Sequence, residues 1–249
     1  MSKFQGKTAV ITGGTSGIGL ATAEEFIKEG AKVIITSRKQ ENIDQAIAVL
    51  GDNAKGIVSD AGKTSDLWNL RAAVEAHTNT IDILFINAGF GKFNSLQDTT
   101  EEEFDSQFNT LVKGGYFTVQ QLAPLVNEGG SIIFNTSVVT DMAMPGASVY
   151  GAAKSAVQYL NKSFANELKD RNIRVNAVSP GPIGTNFFNE AGVPEEQQQT
   201  MAGQILSQVP MNRFGEAKEI ASTVLFLAST EASFITGHEI QVDGGMVQV

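Results

Sequence analysis

No cysteine occurs among the 249 residues, which removes disulfides, thiolate nucleophiles and zinc–sulfur sites together. Histidine is nearly as scarce. His77 and His238 are the two, too few and too scattered for a metal site, so no metal is expected. Positive charge is in short supply as well: 18 Lys and Arg against 27 Asp and Glu leave a net charge of −9. That balance argues against non-specific binding to nucleic acid or to anionic membranes. A phosphate-bearing ligand would have to rely on local cations and backbone N–H donors. No apolar run reaches the roughly 20 residues of a membrane-spanning helix. The opening MSKFQGKTAVITGG runs into a strand with no signal-peptide pattern, and the expectation is a cytoplasmic protein.

What the chain does have is alternation. Short β-branched runs at Thr8–Thr12, Lys32–Ser37, Lys55–Ser59, Ile81–Asn87, Ser131–Ser137, Ile173–Ser179 and Glu239–Asp243 are separated by longer amphipathic stretches such as IGLATAEEFIKEG and LWNLRAAVEAH. Near-continuous apolar strands joined by helices predict an α/β fold: a doubly wound parallel sheet of seven strands, covered on both faces. With 42% hydrophobic residues and no repeat or composition break, a single domain over 1–249 is expected. In DTTEEEF, Thr99 or Thr100 serves as N-cap and three acids fill the first turn, so that acidic run compensates a helix dipole rather than binding a ligand. Residues 186–210, Gln-rich and weakly patterned, are expected to form a substrate loop or lid.

In such a sheet the ligand crevice lies beyond the carboxyl ends of the strands. The first strand runs into TGGTSGIG, Thr12 to Gly19, and a helix follows. Gly13 permits a sharp turn, Gly17 lets backbone approach a pyrophosphate, and Gly19 lets the helix pack closely on the strand. The helix start adds free N–H groups and partial positive charge, so the pattern points to a dinucleotide. A carboxylate at the end of the second strand would bind the ribose 2′-hydroxyl of NAD. None occurs between Ala31 and Gln40; Ser37, Arg38 and Lys39 stand there instead. A guanidinium matches phosphate geometry in bidentate fashion, so NADP is expected in preference to NAD.

The segment VYGAAKSAV places Tyr150 and Lys154 one helical turn apart on the same face. A free phenol has a pKa near ~10, too high for a general base at neutral pH. A cation about 4 Å away, at an effective dielectric of ~20, is worth roughly 4 kcal/mol, or about three pKa units. That would poise the phenol where a catalytic acid–base should sit. Taken alone, the same pair is also what a solvated helix face presents.

In order along the chain come TGGTSGIG, INAG at Ile86–Gly89, NTS with Ser137, Tyr150 with Lys154, SPGPIGT at Ser179–Thr185, and VDGG at Val242–Gly245. Together these resemble the short-chain dehydrogenase/reductases over essentially the whole chain, including a serine thirteen residues before the tyrosine. The resemblance implies that Tyr150 exchanges a proton with the carbonyl or alcohol oxygen of a small substrate. Lys154 would lower the tyrosine's pKa and bind the nicotinamide ribose, and Ser137 would hydrogen-bond the reacting oxygen. It further implies that Gly13, Thr15, Ser16, Gly17, Ile18 and Gly19 meet the pyrophosphate end, with Ser37, Arg38 and Lys39 at the 2′-position. Asp60 and Ala61 would lie near the adenine, Asn87, Ala88 and Gly89 would flank the coenzyme, and Pro180, Gly181, Ile183 and Thr185 would meet the nicotinamide end.

One departure stands out. The family pattern N-x-x-G-x-F, aligned on Gly114 and Tyr116 of FNTLVKGGYF, puts Leu111 where an asparagine helps hold a water joining the lysine to solvent. A weakened proton relay is therefore expected, with a weakly catalytic or non-catalytic coenzyme-binding protein as the alternative of a different class. Phe90, Phe93, Met142, Met144, Phe187 and Phe188 are candidate pocket residues and suit an apolar ketone or aldehyde. A 3-oxoacyl thioester or a sugar is the alternative substrate. Trp68 reads as core or interface. The resemblance also suggests a homotetramer, with the helices expected at Glu101–Val126 and Val149–Lys169 pairing across an interface.

Overall fold

The seven β-branched segments pair side by side, all parallel, in the spatial order β3-β2-β1-β4-β5-β6-β7. The computed structural model describes residues 2–185 and 195–249. The strands are β1 (Thr8–Ile11), β2 (Lys32–Ser37), β3 (Ala54–Val58), β4 (Ile81–Ile86), β5 (Val126–Asn135), β6 (Arg174–Pro180) and β7 (Glu239–Val242). Each covers its expected run to within a residue or so, except at the start of β5. There Val126 already pairs with Ile81, and the next residues bulge before pairing resumes at Ile83 with Ser131.

Among the described residues the helices are α1 (Gly17–Lys28), α2 (Gln40–Leu50), α3 (Thr64–Glu75), α4 (Glu101–Phe108), α5 (Gly114–Leu122), α6 (Ser148–Glu167), α7 (Glu195–Leu206) and α8 (Ala217–Ala228). Consecutive strand residues feed opposite cores, as a two-residue period dictates. Val10, Ile34, Leu84 and Ile132 join Leu70, Leu122, Val157 and Phe164 under α3, α5 and α6. Ile11, Ile35, Phe85 and Ile133 join Phe26, Ile220, Val224 and Leu227 under α1 and α8.

The single helix expected over Glu101–Val126 is instead interrupted. The start is as the sequence implies: Thr100 caps α4, and Glu103 returns the bond to complete a capping box. At Asn109–Lys113 the coil widens to a π turn, in which the Gly114 N–H reaches back to the Asn109 carbonyl. The π turn leads into a close approach. A Cβ on Gly114 would stand 2.5 Å from the Ala61 carbonyl oxygen, so the chain passes the loop after β3 backbone to backbone. A short 3₁₀ turn at Ala123–Leu125, containing Pro124, then ends the helix before β5.

Strand order reverses between β1 and β4, since β2 and β3 lie to one side of β1 and β4 to β7 to the other. That switch point opens a crevice at the carboxyl ends. Asn87 and Thr12 stitch its floor. Thr12 Oγ1 accepts from the N–H groups of Asn87 (2.9 Å) and Ala88 (3.0 Å), and the Asn87 amide donates to the carbonyls of Thr12 and Gly13 (3.1 Å each).

Candidate active site

Gly13, Thr15, Ser16, Gly17, Ile18 and Gly19 form the β1–α1 turn directly over this crevice. At Gly19 a Cβ would stand 2.2 Å from the Gly13 carbonyl oxygen and 2.7 Å from the Asn87 amide, so nothing larger than hydrogen fits. Gly17 has φ +50°, and the atoms near its missing Cβ belong to Thr185, at 3.5 Å. The loop after β6 therefore arches back to the glycine-rich turn. Ser16 caps α1 by backbone alone, which leaves the first-turn N–H groups to another acceptor.

Thr15 donates to Ser37 Oγ at 3.2 Å, bringing the end of β2 beside the same turn. Arg38 and Lys39 follow, both exposed and without an ion-pair partner among the described residues. Asp60 and Ala61 lie in the loop after β3, where Asp60 accepts from the Gly62 N–H at 2.9 Å. Asn87, whose side chain also accepts from Asn135 at 2.8 Å, has its polar atoms taken up within the protein. Its place beside the crevice is thus that of a stitch. Pro180 ends β6 opposite Val242, Gly181 donates to the Val242 carbonyl at 3.0 Å, and Ile183 bridges to Gly215.

Ser137 follows β5 and starts a 3₁₀ turn; Tyr150 and Lys154 project from α6. All three are buried. Burial pushes the Tyr150 phenol up to about 12, against a hydrogen bond with Ser137 that pulls the other way. Burial pushes the Lys154 ammonium down to about 8, with the Glu239 carboxylate pulling it back up. The sequence leads one to expect Lys154 to draw the phenol toward neutrality. In the structure its Nζ donates to the Asn135 carbonyl at 2.7 Å and lies 5.7 Å from the centre of the Tyr150 ring, and desolvation decides the phenol's acidity.

The Asn135 anchor escaped the sequence reading. A backbone carbonyl has no residue signature, and only its place two positions before Ser137 hints at it. Leu111 lies in the π turn, buried, where a Cβ on Gly89 would meet its Cδ2 at 2.5 Å. Phe93 packs edge-on to Tyr150, ring centres 5.6 Å apart. Its loop is pinned by the Lys92 N–H to Gln107 (3.0 Å), the Asn94 amide to Glu103 (2.7 Å) and the Asn94 N–H to the Gly146 carbonyl (3.0 Å). Phe90, Met142 and Met144 are half-buried nearby in sequence. Phe187, Phe188 and the first nine residues of the expected lid, 186–194, lie outside the described residues, and most of the remainder forms α7. His77 and His238 are exposed, Trp68 is half-exposed against Phe117, and no cluster of metal ligands is found among the described residues.

Residues 13–247 match the family described as Enoyl-(Acyl carrier protein) reductase. Oxidoreductase asL5 of Sarocladium schorii is 42% identical over 100% of this chain and 99% of its own. The 3-oxoacyl-[acyl-carrier-protein] reductase FabG of Thermotoga maritima is 37% identical over 98% of this chain and 99% of its own. A solved short chain dehydrogenase/reductase family protein superposes with a TM-score of 0.87 at 39% identity, covering 99% of this chain and 100% of that one. The chain belongs to the short-chain dehydrogenase/reductase family.

The coenzyme of that family is NAD or NADP, and this short-chain dehydrogenase/reductase has the features that fit one. The uncapped first turn of α1 suits a pyrophosphate, the unpaired Arg38 and Lys39 flank the end of β2, and Lys154 keeps N–H groups beyond the one given to Asn135. Among the described residues no helix is long and apolar enough to cross a membrane.

Proposed function

We propose that this protein is an NADP(H)-dependent oxidoreductase that interconverts an apolar ketone or aldehyde and its alcohol. The observation that carries the reading is the meeting of Ser137, Tyr150 and Lys154 at the sheet's carboxyl end, beside a glycine-rich turn built for a pyrophosphate. The nicotinamide supplies or accepts the hydride. Tyr150, held neutral by burial, donates its phenolic proton to the carbonyl oxygen in the reductive direction. Ser137 donates a hydrogen bond to that oxygen and holds it in register. Lys154, anchored on Asn135, stabilises the phenolate left behind and binds the ribose hydroxyls. Arg38, with Lys39 and Ser37, selects the extra phosphate of NADP. Phe93, Phe90, Met142 and Met144 give the substrate an apolar wall.

Leu111 supplies no polar atom, so the proton path from Lys154 to solvent is weakened and turnover is reduced. The half-exposed aromatics Phe104 and Tyr116, with the more exposed Tyr159, lie on α4, α5 and α6 and support assembly into a homotetramer through those helices.

A second reading, reduction of a 3-oxoacyl thioester, has the Thermotoga relative in its favour. The test is the rate of NADPH loss across a panel of ketones and aldehydes together with an acetoacetyl thioester. Turnover is expected on apolar ketones. Turnover on the thioester alone would select the second reading, and NADPH binding without turnover on any of them would leave a coenzyme-binding protein.

A further inference from the structure

Glu239 opens β7 and is fixed by the sheet, paired with Ala177 of β6. A glutamate at a strand start is ordinarily solvated; this one is half-buried and has both oxygens engaged. Gln158 Nε2 donates to Oε2, and the Thr136 hydroxyl, which also reaches the Val178 carbonyl at 2.8 Å, is bonded to Oε1. The two partners are placed tellingly. Thr136 sits between Asn135, whose carbonyl takes Lys154, and Ser137. Gln158 lies one helical turn beyond Lys154 and two beyond Tyr150. With the 2.7 Å bond from Lys154 to Asn135, the contacts close a ring through β5, β7 and α6.

We propose that Glu239 is a positioning residue of this active site: its carboxylate ties the strand end bearing Ser137 to the helix bearing Tyr150 and Lys154, and gives the buried ammonium a compensating negative charge. The other ionisable groups around the ring do not take that place. Tyr150 is neutral, and Asp141, after β5, accepts from Gln241 at 3.2 Å. On either side of β7, His238 is exposed, and Asp243 accepts from the N–H groups of Gly245 and Val247, at 2.9 Å each. Glu239 is the carboxylate that raises Lys154 against the pull of burial.

Removing the charge lowers the folded pKa of Lys154 further, so the protonated ammonium is lost at a lower pH. The test compares wild type, Glu239→Gln and Glu239→Asp in NADPH-dependent reduction of ethyl acetoacetate across pH. Glu239→Gln is expected to lower kcat about tenfold and to move its alkaline limb down by roughly one pH unit. Its KM for NADPH should stay within about twofold of wild type. Glu239→Asp, which keeps the charge, should hold the limb near its wild-type place. An unchanged kcat and limb in Glu239→Gln would overturn the proposal, as would equal losses in both variants with the limb unmoved, the mark of a mere brace. Should Glu239→Gln not fold, Gln158→Met frees one carboxylate oxygen and is expected to lower kcat about threefold; no loss there overturns the proposal as well.

The rate measurement rests on the reductase reading. If wild type reduces no carbonyl, that reading fails by itself, and ¹⁵N NMR titration of Lys154 Nζ then judges Glu239. A lower midpoint in Glu239→Gln (or in Gln158→Met) supports the proposal, and equal midpoints overturn it.

Discussion

The two ends of the central sheet treat their buried charge in opposite ways. At the amino end Asp82 of β4 accepts from the Lys7 ammonium (2.9 Å), the Thr8 N–H (2.9 Å) and the Asn127 amide (3.0 Å). Burial pushes its carboxyl up, but these three donors outweigh burial and hold it below its usual value. At the carboxyl end Lys154 is more deeply buried and, among the described residues, gives one hydrogen bond, to the Asn135 carbonyl; there burial wins. The same scaffold thus completes a charge's partners at the amino end and leaves them incomplete at the end where the proposed coenzyme would bind.

The strongest break of this contrast is at the incomplete end. Tyr150→Phe is expected to cut turnover about 10²- to 10⁴-fold while NADPH still binds, as measured by coenzyme fluorescence. A variant running at the wild-type rate would remove the phenol from the mechanism. Arg38→Asp comes next: the ratio of kcat/KM for NADPH to that for NADH should fall roughly 10- to 100-fold, since a bidentate cation becomes a repelling carboxylate. An unchanged ratio would sink the coenzyme assignment.

At the completed end Asp82→Asn should cost about 1–3 kcal/mol in urea unfolding at pH 7. The folded pKa of Asp82 is depressed, so its stabilisation is present above the unfolded value of about 3.9 and is lost as pH falls through the folded one. Wild type and variant should therefore converge in acid; a gap that persists there would mean the loss is not electrostatic. The smallest effect should come from Leu111→Asn, which offers the carboxyl end a polar partner of nearly the same shape. A few-fold rise in kcat is expected, at some cost in Tm because the new amide is buried. No gain would show that Lys154 exchanges protons by another route.

Much of this was legible in the chain. Alternation of β-branched runs with amphipathic stretches gives seven parallel strands, and Gly13–Gly19, Asn87, Ser137, Tyr150 and Thr185 all follow strand ends or stand on the helix that covers them. What escaped depends on contacts distant in sequence. The helix breaks after Phe108 just before Gly114, which packs against the Ala61 carbonyl about fifty residues away, a contact that no local pattern announces. The acidity of Tyr150 was misjudged because spacing on a helix says how close two side chains are, not how dry they are. Glu239 reads as one more polar residue until β7 is docked against β6.

Gly114 carries one more consequence. With 2.5 Å between its absent side chain and the Ala61 carbonyl, the loop after β3 and the start of α5 share a joint with no slack. Any substitution that shifts the Ala61 backbone must therefore also move the start of α5, and position 114 admits no side chain without such a shift.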